Sequence, residues 1–120
     1  MQFHTAIHWK ECADNLKIVK WCECKGYQNV SIYGFGYLGK SLFKDLIHSD
    51  IKIECIIDNS LTEKVIDSVT CISSQNVKST QCIIVTVIDQ FDNIYSELKG
   101  KVDCEIVCID DVIFEDITSL

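Results

Sequence analysis

The sequence predicts a single three-layer α/β domain, with a mostly parallel sheet between layers of helices. Short apolar runs alternate with segments whose apolar residues recur every three or four positions, which is the pattern of repeated β–α–β units. Residues 82–88 are continuously apolar or β-branched, as in a central strand that is covered on both faces. The 120 residues are enough for one such domain and its core, and too few for a second, catalytic domain.

The individual elements follow from residue spacing and from turn residues. Residues 9–25 have helical spacing and end before Gly26, so residues 1–28 are expected to form a helical extension before the main domain, residues 29–120. The remaining elements are expected in this order: strand 30–33, helix 38–48, strand 51–57, weak strand 69–72, loop or short helical turn 73–80, strand 82–88, helix 91–98, strand 105–109 and a short C-terminal helix.

A glycine motif joins the first strand to the helix that follows it. Residues 34–39 read GFGYLG, the G-x-G-x-x-G pattern of dinucleotide-binding turns. In that pattern Gly34 permits the tight turn, Gly36 lets a pyrophosphate approach the backbone, and Gly39 lets the helix pack closely on the strand. The N–H groups and the dipole of the first helical turn favour an anion there. The motif therefore predicts a Rossmann-like nucleotide-binding domain.

An acidic residue stands at the expected distance from this motif. Asp58 ends the next apolar run, 19 residues after Gly39. At the tip of a second strand its carboxylate could accept hydrogen bonds from ribose hydroxyls, which favours NAD over NADP. The alternative is a loop aspartate that turns the chain towards Asn59 and Ser60.

We therefore predict NAD or a related nucleotide as the ligand, with no catalytic residue identified. The predicted binding residues comprise the glycine turn, the acid with its neighbour, and two residues near the end of the central apolar run: Gly34, Phe35, Gly36, Tyr37, Leu38, Gly39, Asp58, Asn59, Thr86 and Val87.

The charge balance argues against nucleic acid as a partner. The formal net charge is −7, and all 11 basic residues are lysines. The acidic excess lies in residues 61–120, whereas residues 1–60 are neutral and suit an anionic ligand better. No segment resembles a signal peptide and no apolar run approaches a membrane span, so we expect a cytoplasmic protein without membrane contact.

Two further motifs are weighed and set aside. Tyr95 and Lys99 match the Y-x-x-x-K pair of short-chain dehydrogenases, but Tyr95 falls on the apolar stripe of its helix and is expected in the core. His4, His8 and Cys12 would share one helix face and could hold a metal, yet ordinary helix residues explain them better, so no metal is expected.

The cysteine pattern indicates reduced thiols and no disulfide framework. Three of the eight cysteines, Cys55, Cys82 and Cys108, lie inside apolar strand-like runs, where cysteine behaves as a small hydrophobic residue. We expect all three to be buried free thiols.

Residues 26–40, together with residues 57–59, resemble a bacterial family of small Rossmann-like domains. These domains occur alone or fused to enzymes of surface-polysaccharide and nucleotide-sugar metabolism, and they are similar to the N-terminal domain of sugar O-acyltransferases and the C-terminal domain of sugar C-methyltransferases. The run at residues 83–88 is similar to the central strand of the family. The resemblance implies a nucleotide or nucleotide-sugar ligand held by Gly34, Gly36, Gly39 and Asp58, and it implies no chemistry.

Three functions stay open on the sequence. The leading one is a nucleotide-binding accessory or regulatory module of polysaccharide synthesis. The second is an NAD-dependent oxidoreductase subunit completed by a partner enzyme chain, and the third is an assembly domain without a ligand. We also expect a homodimer, because the apolar residues of helix 9–25 spread wider than one stripe and two such helices could pair. Those residues are Trp9, Leu16, Ile18, Val19 and Trp21.

Overall fold

The computed structural model describes residues 17–61 and 64–114, which form a mixed α/β unit. Its α-helices are α1 (Lys17–Lys25), α2 (Tyr37–Ile47), α3 (Phe91–Lys99) and α4 (Ile109–Phe114). Its strands are β1 (Asn29–Tyr33), β2 (Lys52–Ile57), β3 (Val65–Ile66), β4 (Val69–Ile72), β5 (Cys82–Val85) and β6 (Glu105–Cys108). Short 3₁₀ turns lie at Ser74–Asn76 and Ile88–Gln90.

The strands form one sheet in the order β3-β4-β2-β1-β5-β6. Neighbouring strands are parallel except β3 and β4, which form an antiparallel hairpin. The mostly parallel sheet and the α/β class are therefore confirmed. The chain leaves β1 towards β2 on one side and later returns to β5 on the other, so the direction of winding reverses between β1 and β5. Ligands of open parallel sheets bind outside the carboxyl ends of the strands at such a point.

Two buried apolar clusters contact the sheet. One joins α1, α2 and α4 to it, with Ile18, Leu42 and Ile113 almost fully buried. The other joins α3 to it, with Ile83 and Leu98 fully buried. Adjacent strand residues alternate between the two clusters because successive side chains of a strand point to opposite faces. This burial on both faces explains why β5 reads as an unbroken apolar run.

The strand expected at residues 82–88 ends earlier than predicted. β5 stops at Val85. Thr86 still pairs with β1, because its N–H donates to the Tyr33 carbonyl at 2.9 Å, and the chain turns at Val87 into the 3₁₀ segment. The hairpin strand β3 was not predicted, since only two residues form it. Its turn uses Asp67 and Ser68 at positive φ, which non-glycine residues seldom adopt.

Tyr95 is not a core residue, and that prediction is wrong. The buried stripe of α3 consists of Ile94 and Leu98, while Tyr95 is 38% exposed. Its ring packs at the surface against Phe91, with centroids 5.8 Å apart. Lys99 extends over the same ring at 5.9 Å, so the Y-x-x-x-K pair is a surface contact within one helix.

The described part of the N-terminal helix packs on its own chain. Ile18, Val19 and Trp21 of α1 are at most 8% exposed and belong to the first cluster. These three side chains are therefore not exposed on α1 for contact with a second copy. The prediction that they pair two such helices in a homodimer is wrong. Trp9 and Leu16 lie outside the described residues, and the homodimer itself stays a prediction.

The thiol prediction is confirmed. Cys55, Cys82 and Cys108 are free and buried. Cys55 lies against the hydroxyl of Ser31, with Oγ and Sγ 3.3 Å apart, inside the cluster under α3.

Candidate functional site

The glycine turn begins where β1 ends at the centre of the sheet. Gly34 has a φ of +95°, in the left-handed region that side chains disfavour. A Cβ added to it would lie 2.6 Å from Val87 Cγ2 and 2.7 Å from Thr86 Oγ1, both closer than real contacts allow. Its N–H donates to the Ile57 carbonyl at 2.8 Å, which holds the turn on the end of β2. The backbone angle and the neighbours both require a glycine here.

Gly39 permits the close approach of α2 to the turn. A Cβ added to it would clash with the carbonyl group of Gly34, whose carbon would lie 2.9 Å away, and would also lie 3.3 Å from Thr86 Oγ1. Backbone atoms cannot move aside as a flexible side chain can. The helix therefore crosses the loop at a distance that only glycine allows, as the sequence predicts.

Gly36 differs from these two glycines. A Cβ added to it would meet nothing within 4 Å, and its φ of −81° is open to any residue. Its carbonyl accepts the N–H of Lys40 at 2.9 Å, so it is the residue from which α2 begins, and no side-chain hydrogen bond caps this helix start. The packing of the described chain thus gives no reason for a glycine at this position. The space above it is open at the positive end of an 11-residue helix.

Asp58 connects the end of β2 to the glycine loop. Its Oδ2 accepts the Phe35 N–H at 2.8 Å, and its Oδ1 accepts the N–H and the hydroxyl of Ser60 at 2.8 and 2.6 Å. Burial alone would raise the pKa of this carboxyl group. The hydrogen bonds from Ser60 and Phe35 favour the charged form and together outweigh burial, so the pKa is held below its ordinary value.

The hydrogen bonds of Asp58 are compatible with both interpretations that the sequence leaves open for this residue. The bonds to Ser60 are those of an aspartate that turns its own loop, which was the structural alternative. The bond to Phe35 also places the carboxylate beside the glycine loop, where the ligand interpretation requires it. Each carboxylate oxygen can accept about two hydrogen bonds, and Oδ2 accepts the one from Phe35. Oδ2 can therefore accept one more hydrogen bond, from a ligand hydroxyl.

The Asn59 side chain bonds to the loop after β4. Its Oδ1 accepts the Ser74 N–H at 2.8 Å, and its Nδ2 donates to the Ser74 hydroxyl at 3.2 Å. The Tyr33 side chain bonds to the same Ser74, and burial raises the pKa of this tyrosine more than the bond lowers it. Ser74 is thus tied to the end of β2 through Asn59 and to the end of β1 through Tyr33.

Thr86 joins the ends of β1 and β5. Its hydroxyl hydrogen is shared between the carbonyls of Tyr33 and Gly34, at 2.9 and 3.0 Å, and the residue is 4% exposed. Val87 follows, half-buried beside Gly34. The structure therefore brings the predicted residues of the central strand together with the glycine turn.

The three side chains between the glycines have different environments. Leu38 is 5% exposed and belongs to the core, so only its backbone can face a ligand. Phe35 packs edge-on against Phe43, with centroids 5.6 Å apart. Tyr37 is 54% exposed in the first turn of α2.

Two residues of the site were missed by sequence analysis as partners. Ser60 could have been found, because a serine two residues after an aspartate is the partner of an Asx turn. Ser74 carries no local signal, since the fold brings it to Asn59 from 15 residues along the chain.

Two further expectations, about a metal site and about a membrane span, can be compared with the structure only within the described residues. His4, His8 and Cys12 lie outside the described residues, and among residues 17–61 and 64–114 no group of three or more His, Cys, Asp or Glu side chains could hold a metal. In the same part of the chain, every helix is too short or too polar to cross a membrane.

Comparison of the chain with protein-family models, with curated proteins and with solved structures finds no match. The resemblance of residues 26–40 to sugar-enzyme accessory domains stays a prediction.

Proposed function

We propose that this chain is a Rossmann-like, three-layer module that binds a nucleotide, either NAD or a nucleotide sugar, at the loop between β1 and α2. The observation that carries the proposal is the difference among the three glycines. Gly34 and Gly39 are required by their own neighbours, whereas a side chain at Gly36 would enter open space. A ligand phosphate that lies on the backbone supplies the missing reason for the third glycine.

The surroundings of Gly36 suit a phosphate. Backbone N–H groups of a helix start, together with the helix dipole, favour an anion, and no side-chain hydrogen bond caps this start in the described chain. The Thr86 hydroxyl and the Asp58 carboxylate bond to backbone groups of residues 33–35, which ties the loop to the ends of β5 and β2 without any ligand. A preorganised loop loses less conformational entropy on binding.

Asp58 supports a ribose beside that phosphate. The remaining acceptor capacity of Oδ2 can take a ribose hydroxyl, and its negative charge repels a 2′-phosphate. This favours NAD or a nucleotide sugar over NADP. The module is proposed to act in the cytoplasm as an accessory or regulatory unit of surface-polysaccharide or nucleotide-sugar metabolism, with chemistry supplied by a partner enzyme chain.

One observation favours a second candidate, a ligand-free assembly domain. The bonds of Asp58 to Phe35 and Ser60 give this acid a complete structural role without any ligand. The two candidates differ in what they expect of small molecules, because only the first predicts a ligand-dependent rise in stability.

A thermal-shift panel tests the proposal. The chain is heated with NAD(H), NADP(H), UDP-sugars, CDP-linked compounds and coenzyme A in separate wells. The proposal predicts a saturable rise in melting temperature with NAD(H) or a nucleotide sugar, and a smaller rise with NADP(H). No rise with any compound up to millimolar concentration would favour the assembly domain.

A further inference from the structure

In the described part of the chain, the edge strand β6 has a neighbouring strand on one side only. Within residues 17–61 and 64–114, β6 pairs with β5 and is the last strand of the sheet on that side. The outer edge of such a strand presents N–H and C=O groups that can pair with another chain. The opposite edge is β3, which has only two residues and follows Lys64. Of the two edges, β6 thus offers the longer run for pairing.

The strand has only part of the usual protection of an exposed edge. Soluble proteins guard edge strands with charged side chains or proline, with bulges, or by keeping them short. β6 has four residues, and the charged residue among them is Glu105. β6 contains no lysine and no proline, and it pairs with β5 in unbroken register. Its two central residues, Ile106 and Val107, are only partly buried. The edge is therefore chemically suited to receive a further strand.

The charge around the strand selects the kind of partner. Residues 102–114 contain four acidic residues and no basic one. Asp103 precedes the strand, Glu105 begins it, and Asp110 and Asp111 follow it in the first turn of α4. A second copy of the chain would bring like charges together at both ends of the strand, which disfavours self-pairing. A basic segment would meet opposite charge along the same length.

We propose that β6 is a docking edge for an extended, lysine- or arginine-bearing segment of a partner protein, which adds to the sheet as a further strand. Main-chain hydrogen bonds from every second residue of β6, the residues whose N–H and C=O groups face away from β5, supply affinity, and the flanking carboxylates supply charge selectivity. The acids have a second effect, because they keep copies of this chain from pairing with one another through the same edge. The proposal does not depend on the nucleotide site at the opposite side of β5.

A short synthetic peptide tests the docking edge. The probe has alternating lysine and valine over about six residues, a typical strand length. Its two controls are the same peptide N-methylated at alternate residues, which cannot pair through its backbone, and a version with glutamate in place of lysine. Backbone amide shifts of the full chain are followed by NMR during each titration. Docking predicts saturable shifts at β6 with the lysine peptide only, weakened by added salt.

Two double variants of the protein test whether the acidic side chains beside β6 contribute to peptide affinity. The double variant Asp103→Asn with Asp111→Asn removes two flanking acids. Asp50→Asn with Asp67→Asn removes two exposed acids, one before β2 and one in the β3–β4 turn at the opposite edge of the sheet. The first pair should weaken the lysine peptide about tenfold, and the second should leave its affinity unchanged. Unshifted β6 amides, equal binding of the N-methylated peptide, or a chain that already pairs with itself through β6 would overturn the proposal.

Discussion

The Asp58 carboxylate accepts a 2.8 Å hydrogen bond from the backbone N–H of Phe35, and this bond joins the end of β2 to the loop that follows β1. The two strands are neighbours in the sheet. The acid that the ligand interpretation assigns to a ribose is therefore also a structural tie of the glycine turn. Any change at Asp58 is expected to alter both the loop and the ligand site.

The first prediction concerns acid stability. The pKa of Asp58 is lower in the folded chain than its ordinary value of 3.8, so the folded state binds this proton less readily than the unfolded state. Its contribution to stability is present above the ordinary pKa and is lost as the pH falls below about 4, through the lower folded pKa. Urea unfolding at a series of pH values should show less acid destabilisation for Asp58→Asn than for the native chain. Equal acid destabilisation in both proteins would contradict this.

The second prediction compares two glycines of the same motif. Gly39→Ala should destabilise the fold by about 3 kcal/mol, because its Cβ would clash with the Gly34 carbonyl group. Gly36→Ala should change stability by less than about 1 kcal/mol, because its Cβ meets nothing within 4 Å and its φ is −81°. Denaturant midpoints of the two variants measure the difference. Similar losses for both would mean that α2 does not cross the loop as described.

The third prediction concerns the tie between β1 and β5. Thr86→Val removes the hydroxyl that bonds to the carbonyls of Tyr33 and Gly34 while keeping nearly the same volume. We expect a loss of about 1 kcal/mol, and Thr86→Ser should retain much of the hydrogen-bond contribution. Thr70→Val, at an exposed strand position, is the matched control and should have little effect. If Thr86→Val were as stable as the control variant, the hydrogen bonds of the Thr86 hydroxyl would not contribute to the stability of the fold.

The fourth prediction uses the thiols. Burial raises the pKa of Cys22 to about 12, and it also raises the pKa of Cys82, Cys55 and Cys108. Since the thiolate is the reactive form, these four should label slowly in the native chain and quickly after unfolding. Exposed Cys24 serves as the internal control and should label at once. Peptide mass spectrometry after timed labelling reads each site, and rapid native labelling of Cys82 would contradict the placement of β5.

The sequence was sufficient for elements with strong local patterns. The apolar spacing of α2, with Leu42 and Leu46 buried, appears in the structure as predicted. The alternation of β2 holds only as far as Glu54, because a register shift against β1 then places Ile53 and Cys55 in different clusters. The same patterns could not locate the end of β5, because Val87 is as apolar as Val85. The strand ends where its neighbour β1 turns at Gly34 and its own chain enters the 3₁₀ segment. Nor could they show that Tyr95 lies outward, since an aromatic ring fits a buried or a surface stripe equally.

In the candidate site, too, some features could be predicted from local sequence and others depend on tertiary contacts. The glycine motif and Asp58 were found from spacing alone, because they match the dinucleotide-binding pattern, in which the glycines and the acid are a set distance apart. The contacts of Asp58 with Phe35 and of Asn59 with Ser74 depend on tertiary packing and have no local signal. The spacing therefore identifies the residues of the candidate site, but not the hydrogen bonds that their side chains make in the folded chain.

Titration calorimetry of NAD and of a UDP-sugar into the native chain, Gly36→Val and Gly100→Val tests the central claim most directly. Gly100 is the matched control, because it too has a negative φ and nothing within 4 Å of an added Cβ, and it ends α3. The account predicts that one of the two nucleotides binds the native chain and Gly100→Val alike, and that Gly36→Val folds but loses at least about tenfold in affinity. Equal affinity for all three proteins, or no binding of either nucleotide to the native chain, would contradict it.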